Sequence, residues 1–286
     1  MRRILLLLLL LLLPVLMGGV ARAEDVWVLG AEEGEAIAKS LRPALPPGTS
    51  LALQRLGDGV GVQCPGARLV LAVGEAATRA ALRGCPQAKV WALGLPALSL
   101  DALRAGAPGR LSGVASDPPP ARQVALLEAL RPRPRQVAVP YSPAAEGLAR
   151  AAAQILSAHG FQPVLLPSRP DDQPLRPLRE VLGEVQAVLA LPDPALYHEG
   201  LLKHWLLMTA REGVPMVGGL GLQDVRRGVV AAAVQAEEAA IALTVRLLPE
   251  LLGPDPLPPV QALDQARVLH NPLMLSRLGL RLEEGE

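Results

Sequence analysis

The chain has 286 residues and a formal net charge of +1, enough length for one large domain or two lobes of ordinary size. Its near-neutral balance argues against nucleic acid or an acidic membrane surface as a partner. Half of it is hydrophobic but only 2% is aromatic, and the alanine, leucine and valine that make up the difference suit a buried parallel sheet.

The first segment points to export. Arg2 and Arg3 precede an unbroken apolar run over residues 4–13, then Pro14, a further apolar stretch, and Ala21-Arg22-Ala23. This order of charged, apolar and small residues is that of a secretory leader, expected to span residues 1–23 and to leave a mature chain starting at Glu24. The competing reading is an uncleaved anchor. A spanning helix needs about 20 apolar residues, and Pro14 with Gly18-Gly19 interrupts this one. No cysteine lies near the cleavage point, so lipid attachment there is not expected.

From residue 26 onward, short apolar runs alternate with helical patterns. Strands are expected at residues 26–29, 51–53, 69–73 and 90–93, with helices at 32–41 and 75–82. Each run is short and ends near Gly or Pro, as buried parallel strands do. A helix over 121–130 ends at the Arg-Pro repeat of 131–135, because proline lacks the amide donor and restricts the residue before it. A second series follows: strands at 137–139, 163–166, 187–191 and 214–217, and helices at 144–159, 175–182 and 195–212. A last long helix covers 236–252. Two successive runs of βα units indicate an α/β fold of two Rossmann-like lobes, each with a parallel sheet covered on both faces.

Two cysteines in an exported chain invite a disulfide. Cys64 lies just before the strand at 69–73 and Cys85 just after the helix that follows it. That helix returns antiparallel, which brings both to one edge of the sheet. The bond would close about 20 residues and stabilise by roughly 3 kcal/mol; two buried free thiols are the alternative.

Catalytic motifs fail. There is no Gly-x-Ser-x-Gly elbow and no phosphate loop. His198-Glu199 begins like a zinc helix, but Leu202 occupies the place of the second histidine, and the four histidines show no ligand spacing. Gly219-Leu220-Gly221 lacks the third glycine of a dinucleotide fingerprint. The pairs Glu32-Glu33 and Glu237-Glu238 read as solvated helix faces. No enzyme, metal or cofactor is implied, although α/β sites assemble from distant loops. In open α/β sheets ligands bind beyond the carboxyl ends of the strands. The candidate loops are therefore residues 30–33, 74–77, 94–96, 140–143, 191–194 and 218–221.

An ordered series of segments resembles a family of ABC-transporter substrate-binding proteins whose characterised members bind tryptophan and tyrosine. Residues 67–77 are similar to that family's third-strand segment, and 109–114 to its hinge. Residues 130–143, 214–217, 225–232 and 268–280 match in order and spacing. The resemblance, over about residues 67–282, implies a type I periplasmic-binding architecture with three crossings between lobes. They fall near Val114, Gln235 and Val260. It places residues 24–114 and 236–258 in the first lobe, and 115–235 with 259–286 in the second. It also implies a periplasmic, monomeric receptor that takes a small-molecule solute to an ABC permease and its ATPase. The alternative is an envelope accessory or sensory protein of the same fold without a transport role.

Ligand-facing candidates by this resemblance and the loop geometry are Glu75, Ala76, Tyr141, Ser142, Asp193 and Gly219. Asp193 matches an acidic family position able to face an ammonium; it would equally cap the helix ahead of Pro194. Tyr141 either stacks on a planar solute or simply packs. Glu75 departs from the family's Thr or Ser, and Arg79 one turn later would pair with it. The stretch over 57–67 replaces a family helix, so the first lobe looks trimmed. Acidic residues on both sides favour an amine-containing or nucleoside-like solute over a dicarboxylate or sugar phosphate.

Overall fold

The computed structural model describes residues 25–57, 61–219 and 221–283; the expected leader lies outside them. Two separate sheets organise the chain. The first has strands β1 (Val26–Gly30), β2 (Leu51–Arg55), β3 (Leu69–Val73), β4 (Lys89–Leu95) and β5 (Leu111–Ala115) in the order β2-β1-β3-β4-β5. All its pairings are parallel. The second has β7 (Gln136–Tyr141), β8 (Gln162–Pro167), β9 (Ala187–Ala190), β10 (Met216–Gly218), β11 (Ala231–Gln235) and β12 (Ala266–His270) in the order β12-β11-β10-β9-β7-β8. Only its edge strand departs from the parallel expectation: β12 runs antiparallel to β11. The short β6 (Leu130–Arg131) pairs with β13 (Arg281–Leu282), which ties the tail down.

The alternation along single strands shows why both faces are covered. On β3, Leu69 and Leu71 enter one apolar cluster, while Val70 and Ala72 enter another on the opposite face. On β9, Ala187 and Leu189 face one cluster and Val188 and Ala190 a second. Successive side chains of a strand point to opposite faces, so a strand apolar at every position needs helices on both sides. On the first sheet these include α1 (Glu33–Leu41), α2 (Gly74–Gly84) and α3 (Ala97–Ala105). On the second they include α4 (Pro120–Ala129), α5 (Glu146–Ala158), α6 (Arg176–Val181) and α7 (Glu199–Arg211). The short α8 (Leu222–Arg227) leads into β11.

The connectivity is interleaved. After β5 the chain passes to α4, whose Val124 and Leu127 belong to a second-sheet cluster. After β11 it returns as α9 (Glu237–Leu252), whose Leu243, Leu248 and Leu251 pack with β1, β3 and β4 of the first sheet. It then crosses a third time to β12. The connecting segments touch one another. The Ala115 amide donates to the Gln261 carbonyl at 2.9 Å, the Gln261 amide to Gly113 at 2.9 Å, and the Gln235 side-chain amide to the Ala115 carbonyl. Arg122 grips Asp264 through two nitrogens at 3.2 Å each.

Among the described residues no helix lies between β2 and β3. Gly57, Gly61, Pro65 and Gly66 account for that, since glycine and proline disfavour helix interiors. The segment is instead held flat against the end of α2. Cys64 is disulfide-bonded to Cys85 with a Cα–Cα distance of 5.3 Å. Val62, Cys64 and Ala67 fill the cluster a helix would otherwise cover. The fit is close at Gly84, where an added Cβ would lie 2.0 Å from the Val62 carbonyl oxygen.

Candidate functional site

Where the carboxyl ends of both sheets meet, the surface opens into a cleft of about 560 Å³. One wall belongs to the first sheet. It is made by Val73 at the end of β3, Gly74 at the start of α2, Leu93-Gly94 on β4, and the N-terminal parts of α1 and α9 through Glu33 with Ile37 and Glu237 with Ile241. The other wall is Gly221-Leu222 at α8 together with Arg267 and Leu269 from one face of β12. Ser116 and Gln235, on two of the connecting segments, form the floor.

The charges in the cleft come from residues whose sequence setting suggests only solvated helix faces. Glu33 and Glu237 each sit in the first turn of a helix, where a carboxylate faces the partial positive charge of the N-terminal amides. Neither has an ion pair among the described residues. Arg267 is the cation of the cleft, and its guanidinium is 3.6 Å from Glu238. The signal that marks Glu33 and Glu237 is positional: each stands at the first turn of a helix that follows a strand, β1 of the first sheet and β11 of the second, the place where α/β ligands bind.

The six residues singled out from sequence take other places, and none of them lines this cleft. Glu75 and Ala76 are exposed in the first turn of α2, one residue beyond the cleft's Gly74. The Glu75 carboxylate accepts from Arg79 at 2.6 Å and from the Ser99 hydroxyl at 3.2 Å. Tyr141 ends β7 half-buried against the second-sheet core. Ser142 follows it with 2% of its surface exposed, and its hydroxyl oxygen is buried without a hydrogen-bond partner. Gly219 follows β10 with φ 107°, and an added Cβ would lie 2.7 Å from an Asp224 carboxylate oxygen.

Asp193 is the most constrained of the six, with 1% of its surface exposed. One oxygen accepts the Ser142 amide at 2.7 Å and the other the Ala195 amide at 3.1 Å. Its own carbonyl accepts the Leu196 and Tyr197 amides. The carboxylate thus nails the loop after β9 to the loop after β7. Burial pushes the neighbouring Tyr197 hydroxyl well above its ordinary pKa, and the Asp193 charge adds to the shift. Near the first connector, Asp117 accepts the Ala97 amide at 2.7 Å and so anchors the start of α3; burial raises its pKa against the pull of that bond.

Among the described residues no cluster of His, Cys, Asp and Glu has the make-up of a metal site, and no helix is long and apolar enough to cross a membrane. No protein-family model and no curated protein matches the chain. Solved structures do. A conserved domain protein from Vibrio cholerae is 14% identical, with 92% of this chain and 97% of that one covered at a TM-score of 0.62. A Streptococcus pneumoniae ABC domain in complex with L-Trp is 15% identical, covering 91% and 96% at 0.61. The ligand-free, open structure of a substrate-binding protein with adhesive properties from Clostridium difficile is 14% identical, covering 92% and 96% at 0.60. Two parallel-sheet lobes joined by three connectors, matched along nearly their whole length, give this chain the type I periplasmic-binding fold.

Proposed function

We propose that this protein is an exported solute-binding protein that holds a small molecule in the cleft between its lobes and presents it to an ABC permease and ATPase. The lobes we assign are residues 24–114 with 236–258, and 115–235 with 259–286. The observation that carries the reading is the cleft itself: it is lined from both sheets at their carboxyl ends, with a floor made of connectors. Such a site is completed when the walls approach, so solute and closed state stabilise each other. The disulfide and the leader-like N-terminus both support a periplasmic location, and nothing in the reading requires more than a monomer.

The loops bearing Glu75-Ala76, Tyr141-Ser142, Asp193 and Gly219 would meet the solute on closure. Ser142, with a buried hydroxyl lacking a partner, is the best-supported contact, and Asp193 would act by holding that loop in place. The reduced first lobe, with no helix between β2 and β3, favours a second reading: an envelope accessory or sensory protein of the same fold. Small-angle scattering on the mature chain, with thermal-shift screening of solute classes, tests both. A solute at a hundred times its Kd should raise stability by about 2.7 kcal/mol and shrink the radius of gyration. Stabilisation without compaction would refute closure, and no response to any class would leave the accessory reading.

A further inference from the structure

The composition of the cleft restricts its occupant further. None of its lining residues is aromatic. Trp91, Trp205, Tyr197 and Phe161 are buried in the lobes, Trp27 packs into a first-sheet cluster and Tyr141 into a second-sheet cluster. Flat ligands, whether indoles, nucleobases or sugar faces, gain affinity by stacking on aromatic rings, and with the Tyr141 ring packed against the second-sheet core its loop brings no ring to this cleft. Polar groups for a many-hydroxyl ligand are also few. Ser116 and Gln235 supply them, and the Gln235 amide already donates to Ala115. What remains is aliphatic: Ile37, Val73, Leu93, Leu222, Ile241 and Leu269.

The charged groups have a definite relation to this apolar surface. Glu33 precedes Ile37 by four residues on α1, and Glu237 precedes Ile241 by four on α9, so each carboxylate shares a helix face with an isoleucine one turn deeper. Both pairs line the cleft. The helix N-terminal amides, which elsewhere attract anions, here face glutamates of their own first turns. The same holds at the start of α2, where Glu75 occupies the first turn. Arg267 already has Glu238 at 3.6 Å. An anion would find no uncommitted cation in the cleft, whereas a cation would find two carboxylates without ion pairs.

We propose that the solute is an aliphatic amine, a saturated carbon body carrying a protonated nitrogen and no carboxylate. The nitrogen would lie between Glu33 and Glu237 and the carbon body against the two isoleucines. This rests on the cleft being the binding site, and the test separates the two claims. Titration of the mature chain would use 3-methylbutylamine and 1,5-diaminopentane as positive probes. Leucine (a similar body with a carboxylate), 2-phenylethylamine, adenosine and glutarate are the contrasts. The alkyl amines should bind tightest, and the double variant Glu33→Gln/Glu237→Gln should weaken them about tenfold, the size of a charge-assisted hydrogen bond. Two cleft-filling variants from opposite walls, Ile241→Trp and Leu222→Trp, should each abolish binding. If a contrast probe binds as tightly as the amines and is blocked by the tryptophans, the amine inference falls and the cleft stands. The same holds if the glutamine variant keeps full amine affinity. If nothing binds, or binding survives both tryptophans, the cleft reading falls and takes the inference with it.

Discussion

Asp193 shows how much a single side chain can organise at a strand end. Each of its oxygens accepts a backbone amide, one of them from Ser142, 51 residues away in sequence. A carboxylate hydrogen-bonded at both oxygens is worth more than a neutral pair, and its loss leaves buried donors unsatisfied. Asp193→Ala should therefore destabilise the chain by about 2–3 kcal/mol, measured by urea unfolding, with Asp193→Asn costing less. The sequence left a ligand role and a capping role open for this residue. The bond to Ala195 closes a local turn, but the helix itself starts only at Glu199 with His198 as its N-cap, so the expected capping role is not taken up; the bond to Ser142 crosses from another strand, and no window of sequence could show it. Asp117 allows a pH test. Its folded pKa lies above the ordinary value of 3.8 because of burial, so the folded chain holds that proton more tightly than the unfolded chain. Its contribution therefore falls as pH rises from below 3.8 through the raised folded value. Asp117→Asn should flatten the stability profile in that acid window, as read by thermal melts across the acid range against the parent.

At the level of elements, legibility followed burial. Strands buried on both faces, such as β3 and β9, announce themselves as apolar runs, and long amphipathic helices such as α5 by their 3.6-residue period. Several of the elements the pattern missed do not look apolar, although α3 was missed despite Leu98, Leu100 and Leu103. β5 reads Leu-Ser-Gly-Val-Ala, small because it packs closely on β4: a Cβ on Gly113 would sit 2.2 Å from the Ala92 carbonyl oxygen. β12 is an exposed edge, with Val268 55% exposed. α8 has only six residues, too short to show a period. Likewise Glu33 and Glu237 resembled solvated helix faces because their cleft exists only once α1 and α9, some 200 residues apart, are side by side. The strap in place of a helix after β2 makes its own prediction. Gly84→Ala would force its methyl into the Val62 carbonyl, and should cost about 1–3 kcal/mol as overpacking does. Replacing both cysteines with serine should cost about 3 kcal/mol. Denaturant unfolding of each variant checks both values, with the disulfide variant compared against the oxidised parent.

For the whole molecule, two lobes of βα units were readable from the succession of strands and helices, and the resemblance supplied the three crossings. Composition does not supply the antiparallel turn of β12, since direction is set by where the last crossing enters the sheet. The leader expectation is checked at this scale: mass spectrometry of the exported protein should find Glu24 as the first residue, and a retained Met1 in the membrane fraction would contradict it.

The interleaved path has a consequence for the order in which the protein can be made. Synthesis runs from the N-terminus, and domains generally fold as units as they emerge. Here neither lobe is a unit until late. The first sheet lacks the α9 side of its cover until residues 237–252 have appeared, and the second lacks its edge until 266–270. A nascent chain ending before α9 therefore has that apolar sheet face covered by α1 alone. Such a chain is expected to stay loose until α9 arrives, which would suit the export proposed above. Truncations ending at Gln235 should be cut rapidly by protease across the first sheet, and those ending at Leu252 should regain protection there but not in the second. Protection of the first sheet in the shorter truncation would show that α9 is dispensable to it.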